Sequence, residues 1–398
     1  MLIGIIGKPS AGKSTYFKAA TLAEVEISSR PFTTIKPNHA IGYVNVDCVD
    51  KEFHVQCNPR EGYCINGHRF VPVDLIDVAG IIEGAHEGKG LGLSFLNDLN
   101  QADVLIHIVD ISGSTNEKGE LVPPLSHNPL NDIAFLEKEI DYWFLSILTK
   151  GWERFVRTIG NDNQNIKRAI AKQLSGLRVT EELAEEAIKT VKLVHHPLQW
   201  SKDDLFSLAR ELRRKTKPMV IAANKIDVEG AMLNFHRMQE AFPELTIIPC
   251  SAESELALKE AAKHGLIEYI PGSSDFTLLH EEKLNEIQKK ALEFIRKNIL
   301  QECGHTGVQA VLNTTVFDFL KYIAVFPGGL NNLQDKDGRY IPDCFLIKGG
   351  STALDFAYRI HTDIGNNFVK AIDVKKKIAV SKDHVLKHRD VIEIKTSK

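Results

Sequence analysis

The feature that most constrains this fold is a glycine-rich loop near the start of the chain. Residues 7–14 read GKPSAGKS and match G-x-x-x-x-G-K-[ST], a pattern whose backbone amides surround phosphate groups. An apolar run over residues 2–6 is typical of a buried strand, and residues 15–20 can continue as a helix. We therefore predict a phosphate-binding loop, with Lys13 reaching the phosphates and the Ser14 hydroxyl reaching Mg²⁺. An ordinary glycine-rich turn is the alternative, and the flanking strand and helix argue against it.

The composition is that of a globular protein. Of the 398 residues, 43% are hydrophobic and 25% are charged, which suits two or three folded domains. No run approaches the roughly 18 consecutive apolar residues of a membrane span, and Met1 leads directly into the first strand. We expect a soluble cytoplasmic protein with no membrane partner.

The cysteines give no sign of a shared role. None of the six forms C-x-x-C, so the spacing predicts neither a zinc knuckle nor a disulfide framework. We expect reduced thiols, most of them buried. The six are Cys48, Cys57, Cys64, Cys250, Cys303 and Cys344.

Charge is unevenly distributed along the sequence. Residues 323–398 hold 13 Lys and Arg against 9 Asp and Glu, a net charge of +4, which leaves −7 for the rest of a chain whose total is −3. A basic C-terminal region on an acidic body fits a polyanionic partner such as RNA, and it fits a mixed solvated surface equally well.

Short apolar runs alternate with helical patterns, which predicts an α/β fold with a doubly wound parallel sheet. Apolar residues at three- and four-residue spacing then predict a helical insertion, in which Thr180 caps a helix and Trp143 and Trp152 pack inside. A small β-rich module closes the chain. The predicted strands are residues 73–77, 102–110, 218–224, 245–250, 367–374, 377–380 and 390–394.

Two segments that follow predicted strands extend the phosphate site. Asp77 to Gly80 has the form D-x-x-G, in which the carboxylate of Asp77 can hold Mg²⁺ through water and the Gly80 amide can sense the γ-phosphate. Residues 31–38, PFTTIKPN, offer a threonine that could complete the coordination of Mg²⁺ only when the γ-phosphate is present. By itself this second segment is better interpreted as a turn bounded by prolines.

Two later segments indicate guanine. A carboxylate at Asp227, in the run Asn224-Lys225-Ile226-Asp227, can accept hydrogen bonds from guanine N1–H and from the exocyclic amine that adenine lacks. Ser251-Ala252 follows the next predicted strand, where a backbone amide could contact guanine O6. Helix capping by Asn224 and Asp227 is the alternative, and the position after a strand argues against it.

With these motifs together, the chain resembles the Obg-related GTPases of the translation-factor-like group of P-loop proteins. The resemblance depends on residues 31–38 and on the glycine-rich run over residues 77–92, DVAGIIEGAHEGKGLG, and it covers roughly residues 1–120 and 218–275. Residues 345–365 resemble a TGS domain, a small β-grasp-like module. The helical insertion is more similar to the YchF-like branch than to the DRG branch.

The resemblance implies a G domain over residues 1–275 with its helical insertion at about 128–215, a helical connector over 276–322, and a TGS domain over 323–398. It also implies catalytic roles for Lys13, Thr34 and Gly80, and coordination of Mg²⁺ by Ser14, Thr34 and Asp77. The implied nucleotide contacts are Gly7, Lys8, Pro9, Ser10, Ala11, Gly12, Lys13, Ser14, Thr15, Asn224, Lys225, Asp227, Ser251 and Ala252.

Departures from the family pattern shape the predicted function. YchF-like proteins often alter the base motif and accept ATP, whereas Lys225 and Asp227 are both present here and favour GTP. Potassium-activated relatives tend to carry asparagine at the position of Ser10, so dependence on K⁺ is in doubt. Ile81 stands where Ras-like proteins have the glutamine that orients water, which predicts slow hydrolysis that needs help.

Three functions remain open at this point. The first is a slow GTPase that acts as a molecular switch, read by the ribosome or its RNA through the TGS domain. The second is a nucleotide-sensing RNA- or ribosome-binding module with incidental hydrolysis, and the third is a YchF-like ATPase.

Overall fold

The computed structural model describes residues 1–21, 39–78, 80, 84, 99–159 and 163–397. These residues form two compact units that are not contiguous in sequence. The first contains residues 1–18 and 74–254, and the second contains residues 41–73 and 255–397. The predicted division at residues 275 and 322 stays a prediction. Among the described helices, none is both long and apolar enough to cross a membrane.

The first unit is built on parallel strands in the order β4-β1-β5-β6-β7. Their registers pair Ile3 with Leu75, and Ile106 with both Ile5 and Val220. β5 is buried at every residue, which explains why its sequence is mostly apolar. The strands are β1 (Leu2–Ile6), β4 (His68–Asp77, which begins in the second unit), β5 (Val104–Asp110), β6 (Met219–Asn224) and β7 (Ile247–Pro249).

In the part of the chain that the structure describes, helices follow β1, β6 and β7 of this sheet, and further helices form the insertion between β5 and β6. The former are α1 (Lys13–Thr21), α7 (Ala231–Ala241) and α8 (Ala252–Lys263). The latter are α2 (Leu130–Thr149), α3 (Trp152–Ile159), α4 (Asn163–Gln173), α5 (Glu181–Val191) and α6 (Lys202–Thr216). The predicted α/β fold with a helical insertion is confirmed by this arrangement.

Local details of the insertion follow from its sequence. The Thr180 hydroxyl accepts a hydrogen bond from the Leu183 amide at 3.3 Å and caps α5, as predicted. Trp152 stacks on Trp200 with ring centroids 5.7 Å apart, so it has the packing role expected of it.

The second unit begins with β2 (His39–Asp47), a 3₁₀ turn (Val49–Phe53) and β3 (Tyr63–Ile65). β2 and β3 both neighbour β4, and β3 pairs with it antiparallel. After a short hairpin, the chain continues through helices to the C-terminal module. These elements are β8 (Ile267–Glu268), β9 (Thr277–Leu278), α9 (Glu286–Ile295), α10 (Gln301–Cys303) and α11 (Val308–Asn313).

The C-terminal module is a five-stranded mixed sheet in the order β11-β10-β14-β12-β13, with two short helices. Val325, Phe356 and Ile392 lie in its core. The three short strands predicted near the C-terminus are β12 to β14. The elements are β10 (Tyr322–Pro327), β11 (Phe345–Lys348), α12 (Ala353–Ile360), α13 (Thr362–Asn366), β12 (Phe368–Asp373), β13 (Ile378–Val380) and β14 (Val391–Thr396).

Candidate functional site

The carboxyl ends of the parallel strands bring most of the predicted site together. Residues 7–14 follow β1, Asp77 ends β4, Asn224 ends β6, and Ser251 lies two residues after β7. Because parallel strands share one carboxyl edge, segments more than 200 residues apart in sequence become neighbours here. Thr34, Ala79 and Ile81 lie outside the described residues, as does the rest of the glycine-rich run except Asp77, Val78, Gly80 and Gly84.

Gly12 shows why the phosphate loop needs glycine. Its φ is +95°, and a Cβ there would lie 2.2 Å from the amide nitrogen of Asn224. Its carbonyl accepts a hydrogen bond from the Tyr16 amide at 2.9 Å, which joins the loop to the first turn of α1. The loop can therefore present its amides and the helix N-terminus to an anion.

The Lys13 ammonium lies inside the phosphate loop. Its Nζ donates a hydrogen bond to the Lys8 carbonyl oxygen at 2.8 Å. Burial lowers the pKa of Lys13, and the nearby Asp77 carboxylate opposes that shift. A Cβ on Gly80 would lie 3.2 Å from the same Nζ, so the Gly80 backbone is close to this cation. An anion in the loop could replace the Lys8 carbonyl as the partner of Lys13.

Ser14 and Asp77 form the candidate metal site. The Ser14 hydroxyl is 3.4 Å from Asp77 Oδ2, whereas the buried Oδ1 has no hydrogen-bond partner among the described residues. Burial raises the pKa of Asp77, and the charge of Lys13 counteracts this. A hydroxyl and a carboxylate with an unused buried oxygen are the donors that Mg²⁺ prefers, so these residues fit that ion.

Asn224 connects three of the predicted motifs. Its side-chain amide donates to the Ala11 carbonyl at 3.0 Å, and its carbonyl oxygen accepts from the Ala252 amide at 3.0 Å. Asn224 is 3% exposed, so both bonds are shielded from water. One side chain thus holds the phosphate loop beside the Ser251-Ala252 segment. Asp227, three residues after Asn224 in the same motif, is half-buried.

Lys225 makes an ion pair that the sequence did not suggest. Its ammonium lies 2.9 Å from Asp110 Oδ2 at the end of β5. Asp110 is fully buried and also accepts hydrogen bonds from the hydroxyls of Ser112, Ser114 and Thr115. Burial alone would raise the pKa of Asp110, but these hydrogen bonds and Lys225 outweigh it and the pKa is lowered. The head group of Lys225 is therefore held in place by an ionised partner.

Lys8 points away from the anion site. Its Nζ lies 2.7 Å from the Thr115 carbonyl oxygen and 2.8 Å from the carboxylate of Asp132, and Lys8 is only 2% exposed. The Lys8 side chain therefore supports the loop from behind, and a phosphate contact from this residue would come from its backbone. Ser10 is exposed with φ +60°, while Thr15 is half-buried.

The supporting residues Asp110, Thr115 and Asp132 were missed by sequence reasoning. Gly119 belongs with them, because a Cβ there would lie 2.6 Å from Pro9 Cβ. The sequence signal for Thr115 and Gly119 is the string of small and polar residues directly after β5, and by itself it is typical of an ordinary loop.

A P-loop at the edge of a parallel sheet, joined to a base-recognition motif by Asn224, defines the class as a P-loop nucleotide-binding protein. Residues 2–138 match a family model described as 50S ribosome-binding GTPase. Residues 222–328 match that of the G4 motif-containing domain of Obg-like GTPases (YGR210-like), and residues 335–396 match the TGS domain. The chain belongs to the Obg-like family of GTP-binding proteins, in its YchF-like group with a C-terminal TGS domain.

Three relatives illustrate this membership. A GTP-binding protein of Methanocaldococcus jannaschii is 46% identical, with 99% of this chain and 98% of that protein aligned. The crystal structure of a GTP-binding protein from Pyrococcus horikoshii OT3 has a TM-score of 0.76 and 38% identity, with both chains covered completely. The ribosome-binding ATPase YchF of Mycoplasma genitalium is 29% identical over 92% of this chain and 86% of its own.

Proposed function

We propose that this protein binds GTP and slowly hydrolyses it to GDP and phosphate, acting as a molecular switch whose two states are read by the ribosome or its RNA. The observation that carries the proposal is the pair of hydrogen bonds in which the Asn224 side chain donates to the Ala11 carbonyl and accepts from the Ala252 amide. They bring the anion-binding loop and the guanine-recognition segments into one site.

The phosphate part of the mechanism depends on charge and on fixed dipoles. Lys13 would transfer its hydrogen bond from the Lys8 carbonyl to the β- and γ-phosphates, and the amides of residues 7–15 would surround the same oxygens. The Gly80 amide, close to Lys13, would sense the γ-phosphate. Thr34, outside the described residues, completes the proposed catalytic set.

Ser14, Asp77 and Thr34 would hold Mg²⁺, which when bound neutralises charge on the phosphates. The unused buried oxygen of Asp77 supports this assignment, because an unpartnered carboxylate oxygen is costly unless a cation or water contacts it. K⁺ has no such support, and we do not propose it as a cofactor.

Base selectivity is assigned to Asp227. Its carboxylate would accept two hydrogen bonds from guanine, and adenine would leave it unpaired, which costs on the order of 1–3 kcal/mol or more. The Lys225 ammonium is held by Asp110, so its aliphatic stem would lie along the base. The backbone of Ser251 and Ala252 would contact guanine O6.

Slow hydrolysis follows from Ile81, since its side chain can neither donate nor accept a hydrogen bond to orient water. The missing group would come from a partner. A ribosomal partner is supported by the description of the family model over residues 2–138 and by the name of the Mycoplasma genitalium relative. The net charge of +4 in residues 323–398 suits RNA. The same relative is named an ATPase, which keeps ATP as the second candidate nucleotide.

Nucleotide selectivity tests the proposal directly. Dissociation constants for GDP, ADP and XDP should favour GDP over ADP by orders of magnitude. Asp227→Asn should weaken GDP and favour XDP, because the amide can pair with the xanthine 2-oxygen. Asp203→Asn, at an exposed aspartate in α6, is the matched control and should leave selectivity unchanged. Equal affinity for ADP and GDP in the wild type would rule out the GTP assignment.

Ribosome dependence separates a switch from a passive binding module. We expect co-sedimentation with ribosomes to differ between the GDP form and a GTP-analogue form, and multiple-turnover hydrolysis to rise when ribosomes are added. The hydrolysis assay is run in sodium and in potassium, so that any dependence on K⁺ is also measured. Co-sedimentation that is the same in both nucleotide states would contradict the switch.

A further inference from the structure

Three cysteines and one aspartate converge in the second unit, apart from the residues assigned to nucleotide. Cys48 follows β2, Asp50 lies in the 3₁₀ turn, Cys57 lies in the loop that follows, and Cys64 lies in β3. One sulfur or carboxylate oxygen from each lies within 4.8 Å of all the others. The six-residue gaps that separate Asp50, Cys57 and Cys64 hide this group from a search for C-x-x-C.

The separations are those of a tetrahedral donor set. The sulfurs of Cys48 and Cys57 are 3.6 Å apart, and the Cys64 sulfur is 3.7 Å from Asp50 Oδ2. Metal–sulfur bonds of about 2.3 Å in a tetrahedron require sulfurs about 3.8 Å apart. All three cysteines are free, so no disulfide uses these sulfurs.

The surroundings would stabilise negative charge on these ligands. Cys48 and Asp50 are each 2% exposed. Arg69 in β4 is the register partner of Cys64 in β3, so a guanidinium comes from the strand next to these ligands. Arg69 is 1% exposed, and its Nε has no hydrogen-bond partner among the described residues. A divalent ion with three thiolates and a carboxylate has a net charge of −2, which a buried guanidinium partly offsets.

We propose that this group is a structural zinc site with the ligands Cys48, Asp50, Cys57 and Cys64. Three thiolates favour a thiophilic ion over Mg²⁺ or Ca²⁺, and four protein ligands leave no open position for catalysis.

The proposed role is to fasten residues 48–64 onto the C-terminal module. Cys48 and Cys57 belong to the same buried apolar cluster as Phe326, Ile341 and Val391. A bound ion would cross-link residues 48–64 to one another where they pack in that cluster, and its binding energy would add to the stability of the second unit. This site is independent of the proposed nucleotide function.

Metal analysis of the full-length protein, purified without a metal-affinity tag, tests the proposal. We expect about one zinc per chain that resists dialysis, and a sulfur-to-cobalt charge-transfer band after replacement by Co²⁺. Cys57→Ser and Cys64→Ser should each lose the metal and lower the melting temperature. Cys344→Ser is the matched control, because Cys344 packs beside the same cluster without belonging to the ligand group, and it should retain the metal.

Several results would overturn the proposal. One is a folded wild-type protein that holds no zinc, takes up no Co²⁺ and shows three reactive thiols or a Cys48–Cys57 disulfide. Another is loss of metal in Cys344→Ser together with retention in Asp50→Asn, which would make the ligand set wrong. If the serine variants fail to fold, removal of zinc from the wild type by a chelator, followed by its return, measures the same loss and recovery of melting temperature.

Discussion

At the scale of single residues, burial determines which groups near the phosphate loop are charged. Burial lowers the pKa of Lys13, and the nearby Asp77 carboxylate opposes that shift. His107 in β5 has no such partner among the residues that the structure describes. It is completely buried, and burial together with the charges of Lys13 and Lys8 lowers its pKa to about 3. Its Nδ1 has no hydrogen-bond partner in the described part of the chain. His107 is therefore neutral in the folded protein at pH 7.

The neutral His107 predicts a loss of stability in acid. The unfolded chain binds a proton at this side chain below about pH 6.5, whereas the folded chain does so only near pH 3. Stability should therefore fall as the pH is lowered through this window, by up to about 1.4 kcal/mol per pH unit. We measure the free energy of unfolding by urea between pH 7.5 and pH 5. Its slope against pH should be smaller in His107→Leu than in the wild type.

The control for this prediction is His264→Leu, which removes a histidine whose side chain is 70% exposed. Its pH slope should equal that of the wild type. A His107→Leu slope as steep as that of the wild type would show that other groups cause the loss.

At the scale of elements, the segment between β5 and α2 supports the phosphate loop. Asp132 in the first turn of α2 pairs with Lys8 at 2.8 Å and with His127 at 2.9 Å. Both members of the Lys8–Asp132 pair are nearly inaccessible to water, at 2% and 4% side-chain exposure. A helix of the insertion thus contacts the loop that follows β1, although more than 120 residues separate them in sequence.

Breaking this pair from one side should be costly. Asp132→Ala would leave the Lys8 ammonium buried without its carboxylate, and we expect a loss of about 3–5 kcal/mol in the free energy of unfolding. The double variant Lys8→Met/Asp132→Leu should recover much of that loss, because it removes both charges and keeps the volume filled. Urea unfolding of Lys8→Met, Asp132→Leu and the double variant measures the coupling energy.

An exposed ion pair provides the contrast. Lys189→Ala removes one of the two lysine partners of Glu185 on the surface of α5 and should hardly change the unfolding midpoint. If Asp132→Ala were as mild as Lys189→Ala, the buried pair would not be the support inferred here.

At the scale of the whole molecule, residues far apart in sequence close the second unit. Arg69 in β4 donates to the Ile341 carbonyl at 3.1 Å and to the Pro342 carbonyl at 2.8 Å. The amides of Asn58 and Arg60 bind the carbonyls of Tyr340 and Pro342, each at 2.9 Å. Residues 58–69 are therefore held to the C-terminal module by bonds that span more than 270 positions.

Arg69→Met should loosen this unit. The substitution keeps the apolar stem and removes both hydrogen bonds. It leaves the buried Ile341 carbonyl without this partner and the Pro342 carbonyl with the Arg60 amide, and it should cost about 1–3 kcal/mol. Hydrogen exchange should increase in β10 and β14. Arg60→Ala is the control, because Arg60 contacts Asp335 in the same module from a side chain that is 47% exposed, and its effect should be small. If hydrogen exchange were unchanged in Arg69→Met, the hydrogen bonds of Arg69 would not be what stabilises this unit.

Most of the motif positions could be predicted because local rules determine them. The phosphate loop needs glycine at position 12 for its backbone angle, and the base motif follows an apolar strand that buries itself on both faces. The apolar spacing predicts helix α2, and Thr180 predicts the cap of α5, because both features depend on neighbours within a few residues.

The sequence by itself thus determined the α/β class, the order of the motifs and the nature of the ligand they suit. Only the tertiary structure decided that Lys8 turns inward to Asp132, that Lys225 pairs with Asp110, and that Cys48, Cys57 and Cys64 share one buried point. The physical reason is that a long side chain takes the partner that burial leaves available to it. That partner comes from a distant segment, and its position depends on how the strands and helices pack.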